Sequence, residues 1–302
     1  MKKVVVVGSS NVDTVIRVPH IPAEGETLLA RSVEICFGGK GANQAAAVAK
    51  LGGNVSVIAC VGQDSFGQAL VSNLADCGVD TGGVEQLAKA QSGAAYIYVA
   101  DQGENNIVVN AGANNCLSRE LVGRCRHLFE GAELCITQLE TPLDTLYFVA
   151  SLCRELDVRL ILNPAPAAEL DFEQLRGTWM IVPNEGELGL LVPGEGDVAT
   201  KARALHQKGF EHVLVTLGPQ GCLHLHGASK QAYPACHALA VKDTTAAGDS
   251  FIGALAFGLT KGLALGQAIE LANKAASVTV SRAGAQPSLP TLAEVEEAYG
   301  PI

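Results

Sequence analysis

The run Val4-Val5-Val6-Val7, closed by Gly8-Ser9-Ser10-Asn11-Val12-Asp13, constrains the fold more than any other stretch of the chain. Four β-branched residues in a row, without polar alternation, read as a strand buried on both faces, the habit of parallel sheets covered by helices. The polar loop at its carboxyl end lies where ligands collect in open α/β sheets. Downstream, strand signals at 55–61, 134–137, 160–162, 180–182, 213–216 and 222–225 alternate with helical signals starting near Ala42, Phe66, Ser118, Pro142, Glu185, Val198, Gly248, Leu265 and Leu292. That alternation predicts βαβ units. Pro142 suits a first helical position, and Gly78 and Gly209 read as helix stops.

Two patches break the pattern. Thr14 to Val18, then Pro19, Pro22 and Gly25, then the stretch 26–35, read as short strands with turn punctuation and no helix. The stretches 94–99 and 106–109, joined by Asp101-Gln102-Gly103-Glu104, read as a hairpin. Paired, the two patches predict a small β lid, inserted at about 14–36 and 94–110, on a single α/β domain spanning 1–302.

Composition excludes several classes. A formal net charge of −10 argues against nucleic acid as the main partner. The longest apolar runs fall far short of the roughly 20 residues that span a bilayer, and the run after Lys2-Lys3 is too short for a signal peptide. Nine cysteines, an odd number with no C-x-x-C pair, fit reduced thiols better than a disulfide framework or a cysteine zinc site. A cytoplasmic protein is expected.

The chemistry-bearing motifs all follow strands. Phe37-Gly38-Gly39-Lys40-Gly41-Ala42-Asn43-Gln44 places glycines, a lysine and two amides before a helix; it is neither a Walker A loop nor G-x-G-x-x-G, and a tight turn with a solvated lysine also explains it. Gln138-Leu139-Glu140 offers a carboxylate to a sugar hydroxyl or a neighbour to a helix cap. Asn184 and Glu187 have the spacing to orient a hydrated Mg²⁺, and equally that of a capping box. Asp243-Thr244-Thr245-Ala246-Ala247-Gly248-Asp249 opens an apolar helix with Phe251, Leu255 and Leu259 on one face. The unpaired N–H groups of about Ala246 to Asp249 form an anion site. Asp249 beside it suits either a first-turn carboxylate or a base for phosphoryl transfer.

Together, the segments Gly38 to Gln44 and Asp243 to Phe251 resemble the two signatures of the ribokinase family of carbohydrate kinases, and the likeness runs along essentially the whole chain. Asn11-Val12-Asp13 is similar to the family's first sugar-contact motif, Asn163-Pro164-Ala165-Pro166 to a strand-end motif, Asn184 to Glu187 to its N-x-x-E motif, and Ala283-Gly284-Ala285-Gln286-Pro287-Ser288 to its closing segment. The resemblance implies a three-layer α/β/α fold with a central, mostly parallel sheet and a small β-sheet lid. It implies that Asn11, Asp13, Gly39, Lys40, Asn43 and Glu140 hold a sugar, and that Asp249 takes the proton from its primary hydroxyl. Ala246, Ala247 and Gly248 would form the anion hole. Asn184, Thr216, Gly218, Gly248 and Asn273 match nucleotide contacts, and Glu187 matches a water-mediated Mg²⁺ position. Asp243, Thr245, Thr279, Arg282, Gly284 and Ser288 match a monovalent-cation (K⁺) site, mostly through main-chain carbonyls. The match is thinner at Gly218-Pro219-Gln220 and around 228–233, where the adenine pocket would lie.

The implied activity is ATP-dependent phosphorylation of a pentose, D-ribose first, with 2-deoxyribose, fructose or a nucleoside as alternatives within the class and a catalytically silent sugar-binding regulator outside it. Asn11 favours a fully hydroxylated sugar, because an amide left unpaired costs about 1–3 kcal/mol. A homodimer through the lid is implied, with Tyr96, Tyr98 and Ile107 as candidate contacts.

Overall fold

The computed structural model describes residues 2–236 and 240–302. At its centre is β1 (Lys3–Val7), whose valines serve two cores. Val4 and Val6 pack on one face of the sheet and Val5 and Val7 on the other, all fully buried, which is why no polar residue interrupts the four valines.

From β1 the chain forms β2 (Asn11–Val18) and β3 (Ser32–Gly38), enters α1 (Lys40–Lys50) and returns as β4 (Asn54–Gly62), parallel to β1. Next come α2 (Ser65–Asp76) and β5 (Asp80–Leu87), which ends that side of the sheet. β6 (Gly93–Ala100) and β7 (Asn105–Asn110) leave the main sheet, α3 (Arg119–Arg124) follows, and β8 (Ala132–Thr137) re-enters on the other flank of β1. The parallel sheet then grows outwards through α4 (Leu143–Glu155), β9 (Arg159–Leu162), α5 (Phe172–Leu175), β10 (Met180–Ile181), α6 (Glu185–Leu191), α7 (Val198–Gln207) and β11 (His212–Thr216). Antiparallel β12 (Cys222–His226) and β13 (Ser229–Tyr233) close it, and α8 (Ala247–Thr260), α9 (Leu265–Val280) and α10 (Leu292–Tyr299) complete the fold. The strand order is β13-β12-β11-β10-β9-β8-β1-β4-β5.

Residues of α1 belong to one core and residues of α4 to the other. The helices that follow β1 and β8 therefore diverge to opposite faces, and the carboxyl ends of these neighbouring strands part at a topological switch point, where open α/β sheets bind ligands. Gly8 to Asn11 and Gln138 to Glu140 occupy those ends.

The two irregular patches do pair, as a four-stranded sheet in the order β3-β2-β6-β7. Its register sorts the side chains onto faces. Cys36, Asp13, Ala95 and Val109 are cross-strand neighbours in one row, and Ile35, Thr14, Tyr96 and Val108 in the next. Ile107 therefore shares the face of Asp13, while Tyr96 and Tyr98 lie on the opposite one, so the three do not form a single patch.

Several elements depart from the sequence expectations. β5 and β13 were not anticipated; they are the two edges of the large sheet, half covered, where no apolar run is required. α5, a single turn, also escaped notice. Residues 26–31 form no strand, and Pro142 is the N-cap of α4 rather than its first helical residue. Gly78 and Gly209 do end helices, at φ 89° and 112°. Among the described residues, no helix is long and apolar enough to cross a membrane.

One packing contact positions the site. A Cβ on Gly253 of α8 would lie 2.4 Å from Ala47 Cβ and 3.0 Å from Gln44 O of α1, so the absence of a side chain lets these helices touch backbone to backbone. Their first turns are thereby brought together.

Candidate active site

Asp249, in the first turn of α8, is the centre of the site. It is 7% exposed and held at both oxygens: Asn43 Nδ2 donates to Oδ2 and Gln44 Nε2 to Oδ1, each at 2.9 Å. Gln44 is oriented in turn, because its second N–H reaches Asn163 Oδ1 at 3.1 Å and its Oε1 accepts from Gln138 Nε2 at 2.6 Å. Burial raises the Asp249 pKa above the ordinary carboxylate value, against the Lys40 charge and the two amide hydrogen bonds, with Glu140 adding to the rise. A carboxylate tuned upwards in this way is a better proton acceptor near neutral pH.

Asn11, Asp13, Gly39 and Glu140 gather near Asp249. Glu140 Oε2 accepts from Ser9 Oγ and, at 3.0 Å, from the N–H of Lys40 at the start of α1. Asn11 Oδ1 accepts from Asn114 Nδ2 at 2.7 Å, which turns the amide N–H₂ of Asn11 into the group offered to a ligand. The glycine run makes the crowding possible. A Cβ on Gly38 would fall 2.1 Å from Asp13 Oδ2, and one on Gly39, whose φ is 87°, would fall 2.8 Å from Asn11 N.

Asp13 is raised to about 7, by burial first and then by the Glu140 and Asp249 carboxylates. Its folded pKa exceeds the ordinary 3.8, so folding favours the protonated form. That contribution to stability is whole below the ordinary value and is lost as pH rises through about 7. Denaturation midpoints of the unliganded protein should therefore decline over this interval. Asp13→Asn should flatten the decline, and an unchanged pH slope in the variant would assign it to other groups.

Asp249 itself lines a cleft of about 210 Å³, together with Lys40, Asn184, Glu187, Thr216 and the segment Ala246 to Gly248 among others. Ala246, the N-cap of α8, has φ 59°, a left-handed conformation that costs a non-glycine residue about 1–3 kcal/mol. This turn aims the start of α8 at the cleft. Ala247 N–H donates to Thr244 O at 3.2 Å, and Gly248 is exposed. Asn184 and Glu187 form a reciprocal capping box on α6, so the capping reading of that spacing is realised in the same residues that line the cleft. Burial raises the Glu187 pKa.

The remaining predicted residues separate into two groups. Asp243 Oδ1 accepts from the N–H and Oγ1 of Thr245 at 2.9 and 2.7 Å, and its Oδ2 accepts from Gly284 N–H at 2.9 Å, joining the loop before α8 to the segment after α9. Burial works to raise the Asp243 pKa, but these hydrogen bonds bring it below the ordinary value. Thr279 and Ser288 are fully buried nearby in sequence, and Arg282 is paired with Glu294 at 2.8 Å. Gly218 lies exposed in a short 3₁₀ turn after β11. Asn273 is buried on α9, where its Nδ2 donates to Pro234 O at 3.2 Å, so the amide braces the chain after β13.

Sequence reasoning missed Gln44 and Gln138 as individual site residues, together with Ser9 and Asn114. Gln44 carried one signal, a glutamine among the buried alanines of α1. The others had none, because their partners lie about a hundred residues or more away.

Residues 1–292 match the pfkB family carbohydrate kinase pattern. A ribokinase of Haemophilus influenzae is 38% identical over 98% of both chains, and a deoxyribokinase of Salmonella typhi is 36% identical over 97% of both. Among solved structures, a ribokinase from Thermotoga maritima superposes with a TM-score of 0.92 at 33% identity, covering 98% of this chain and 99% of its own. An Arabidopsis thaliana ribokinase complexed with ribose and ATP superposes with a TM-score of 0.90 at 29% identity, covering 98% of each chain.

Proposed function

Because the chain belongs to the PfkB family of carbohydrate kinases, we propose that it transfers the γ-phosphoryl group of ATP to the primary hydroxyl of D-ribose, giving ribose 5-phosphate and ADP. The observation that carries this reading is Asp249 itself, held at both oxygens by Asn43 and Gln44 in the first turn of α8 and lining the same cleft as Lys40, Asn184, Glu187 and Ala246 to Gly248. Asn11, Asp13, Gly39, Lys40, Asn43 and Glu140 hold the sugar. Asp249 accepts the hydroxyl proton as the oxygen attacks the γ-phosphorus, and the bond to the bridging oxygen breaks to release ADP. The N–H groups of Ala246 and Gly248, together with that of Ala247, which is shared with Thr244 O, bind the charge on the transferred group. Asn184, Thr216, Gly218 and Asn273 form the nucleotide side.

Glu187, a half-buried carboxylate with a raised pKa facing the cleft, suits a hydrated Mg²⁺. When bound, Mg²⁺ would neutralise phosphate charge. Asp243, held with its pKa low beside Gly284, fits one wall of the K⁺ site that Thr245, Thr279, Arg282, Gly284 and Ser288 complete. The outer face of the lid exposes Val33, Ile35, Tyr96 and Val108, an apolar surface suited to a homodimer. Nine unpaired cysteines support a cytoplasmic location.

A coupled ADP-release assay across ribose, 2-deoxyribose, fructose, adenosine and uridine, with and without K⁺, tests the reading. Ribose should give the highest kcat/KM. A preference for deoxyribose would replace the substrate, and absence of turnover with every acceptor would leave a sugar-binding regulator. The same preparation should sediment as a dimer, and a monomer would remove the lid from that role.

A further inference from the structure

At the rim opposite the active-site cleft, the start of β11 gathers three imidazoles. Glu211 and His212 stand where β11 begins, and His226 ends the antiparallel β12 as the direct cross-strand partner of His212. One ligand atom from each of Glu211, His212 and His226 lies within 4.8 Å of the others, a metal-capable grouping among the described residues. His212 is 8% exposed. It stacks on His226 with ring centroids 4.4 Å apart and meets Trp179 edge-on at 5.1 Å.

The two nitrogens of His212 face different partners. Its Nδ1 is 2.9 Å from His224 Nε2, and its Nε2 is 3.6 Å from Glu211 Oε1. With the Nδ1 hydrogen donated to His224, Nε2 carries a free lone pair on the side of Glu211 and His226. Metal-binding imidazoles are held in this manner, with the far nitrogen fixed by an outer hydrogen bond. His224, His226, His206 and Arg159 are the titratable and charged groups around the His212 ring. Arg159 is occupied over the Trp179 ring at 4.6 Å and paired with Glu133, and His206 Nδ1 is bonded with Phe210 O at 2.7 Å.

We propose that Glu211, His212 and His226 bind a zinc-class divalent cation, with His224 as the outer partner that orients His212 and water completing the coordination. Two imidazoles and one carboxylate are a ligand set that zinc accepts and that magnesium does not favour. Metal–nitrogen bonds of about 2.0–2.1 Å need ligand atoms roughly 3.3 Å apart. Closing the 4.8 Å spacing requires the exposed Glu211 and His226 side chains to turn, His226 leaving its stack on His212. The ion would pin the β11–β12 hairpin at the end remote from the cleft, a structural brace independent of phosphoryl transfer.

The test uses the full chain, stripped with chelator and titrated with zinc sulfate by calorimetry in excess Mg²⁺. Wild type should bind one equivalent more than Glu211→Gln or His226→Ala, and zinc should raise its melting temperature but not theirs. His224→Gln should retain the equivalent with affinity weakened about 10–100-fold. Far-ultraviolet circular dichroism of each variant checks that the fold is intact. Equal zinc binding by wild type and both ligand variants, as thiols elsewhere would give, overturns the site, and so does absence of zinc binding by wild type.

Discussion

Asp249→Asn should lower kcat by about 10²–10⁴-fold while sugar binding, followed by calorimetry, remains measurable. The carboxylate is held by two side-chain amides at once, Asn43 on Oδ2 and Gln44 on Oδ1, and its pKa is raised chiefly by burial. An asparagine presents one acceptor instead of two, so one of the facing amides meets another N–H₂ and the variant loses a hydrogen bond as well as its basicity. The pH profile separates these effects. In wild type the acidic limb of kcat/KM should fall above the ordinary carboxylate range, and the variant's residual activity should lack that limb. Turnover within tenfold of wild type would remove Asp249 from the role of base.

Gly248→Ala should lower kcat by about 10²–10³-fold, comparable to losing one donor of an anion hole, because its methyl would displace the phosphoryl group from the amides, while leaving the protein slightly more stable. No heavy atom lies within 4 Å of the position a Cβ would take, and the backbone there is not left-handed, so the folded protein has room for the methyl group. Alanine in a helical turn gains roughly 0.5–1 kcal/mol over glycine. The open space is, in the functional reading, where the transferred phosphoryl group passes, and the methyl would hold it away from the amides at the start of α8. Stability and activity therefore move in opposite directions, which no general folding defect produces. Unaltered kinetics would mean that phosphate does not approach this turn.

Val4 to Val7 announced a strand buried on both sides because β-branching and the lack of alternation are properties of the segment itself. Glycines at 38, 39 and 41 suggested close approach of the backbone to a ligand, but the space they leave is taken by the protein's own Asp13, Asn11 and Gly8–Ser9 turn. Edge strands β5 and β13 were illegible for the converse reason: partial exposure imposes no pattern. The lid strands were legible, but the division of Tyr96 and Ile107 between faces was not, since it follows from pairing register.

Local chemistry thus settled, from the sequence alone, the α/β class and the loops at the strand ends, and the resemblance of two of those loops to family signatures pointed to the family. Turn residues, helix starts and hydrophobic periods act over a few neighbouring positions and survive in a one-dimensional reading. Tertiary structure decided how the site is held: that Gln44, braced by Gln138 and Asn163, reaches Asp249 across 205 positions, that Asn114 turns Asn11 outwards, and that Asn273 faces Pro234. Those contacts exist because α1 and α8 meet through Gly253 and Ala47, and the closeness of two helices belongs to their packing, not to either segment.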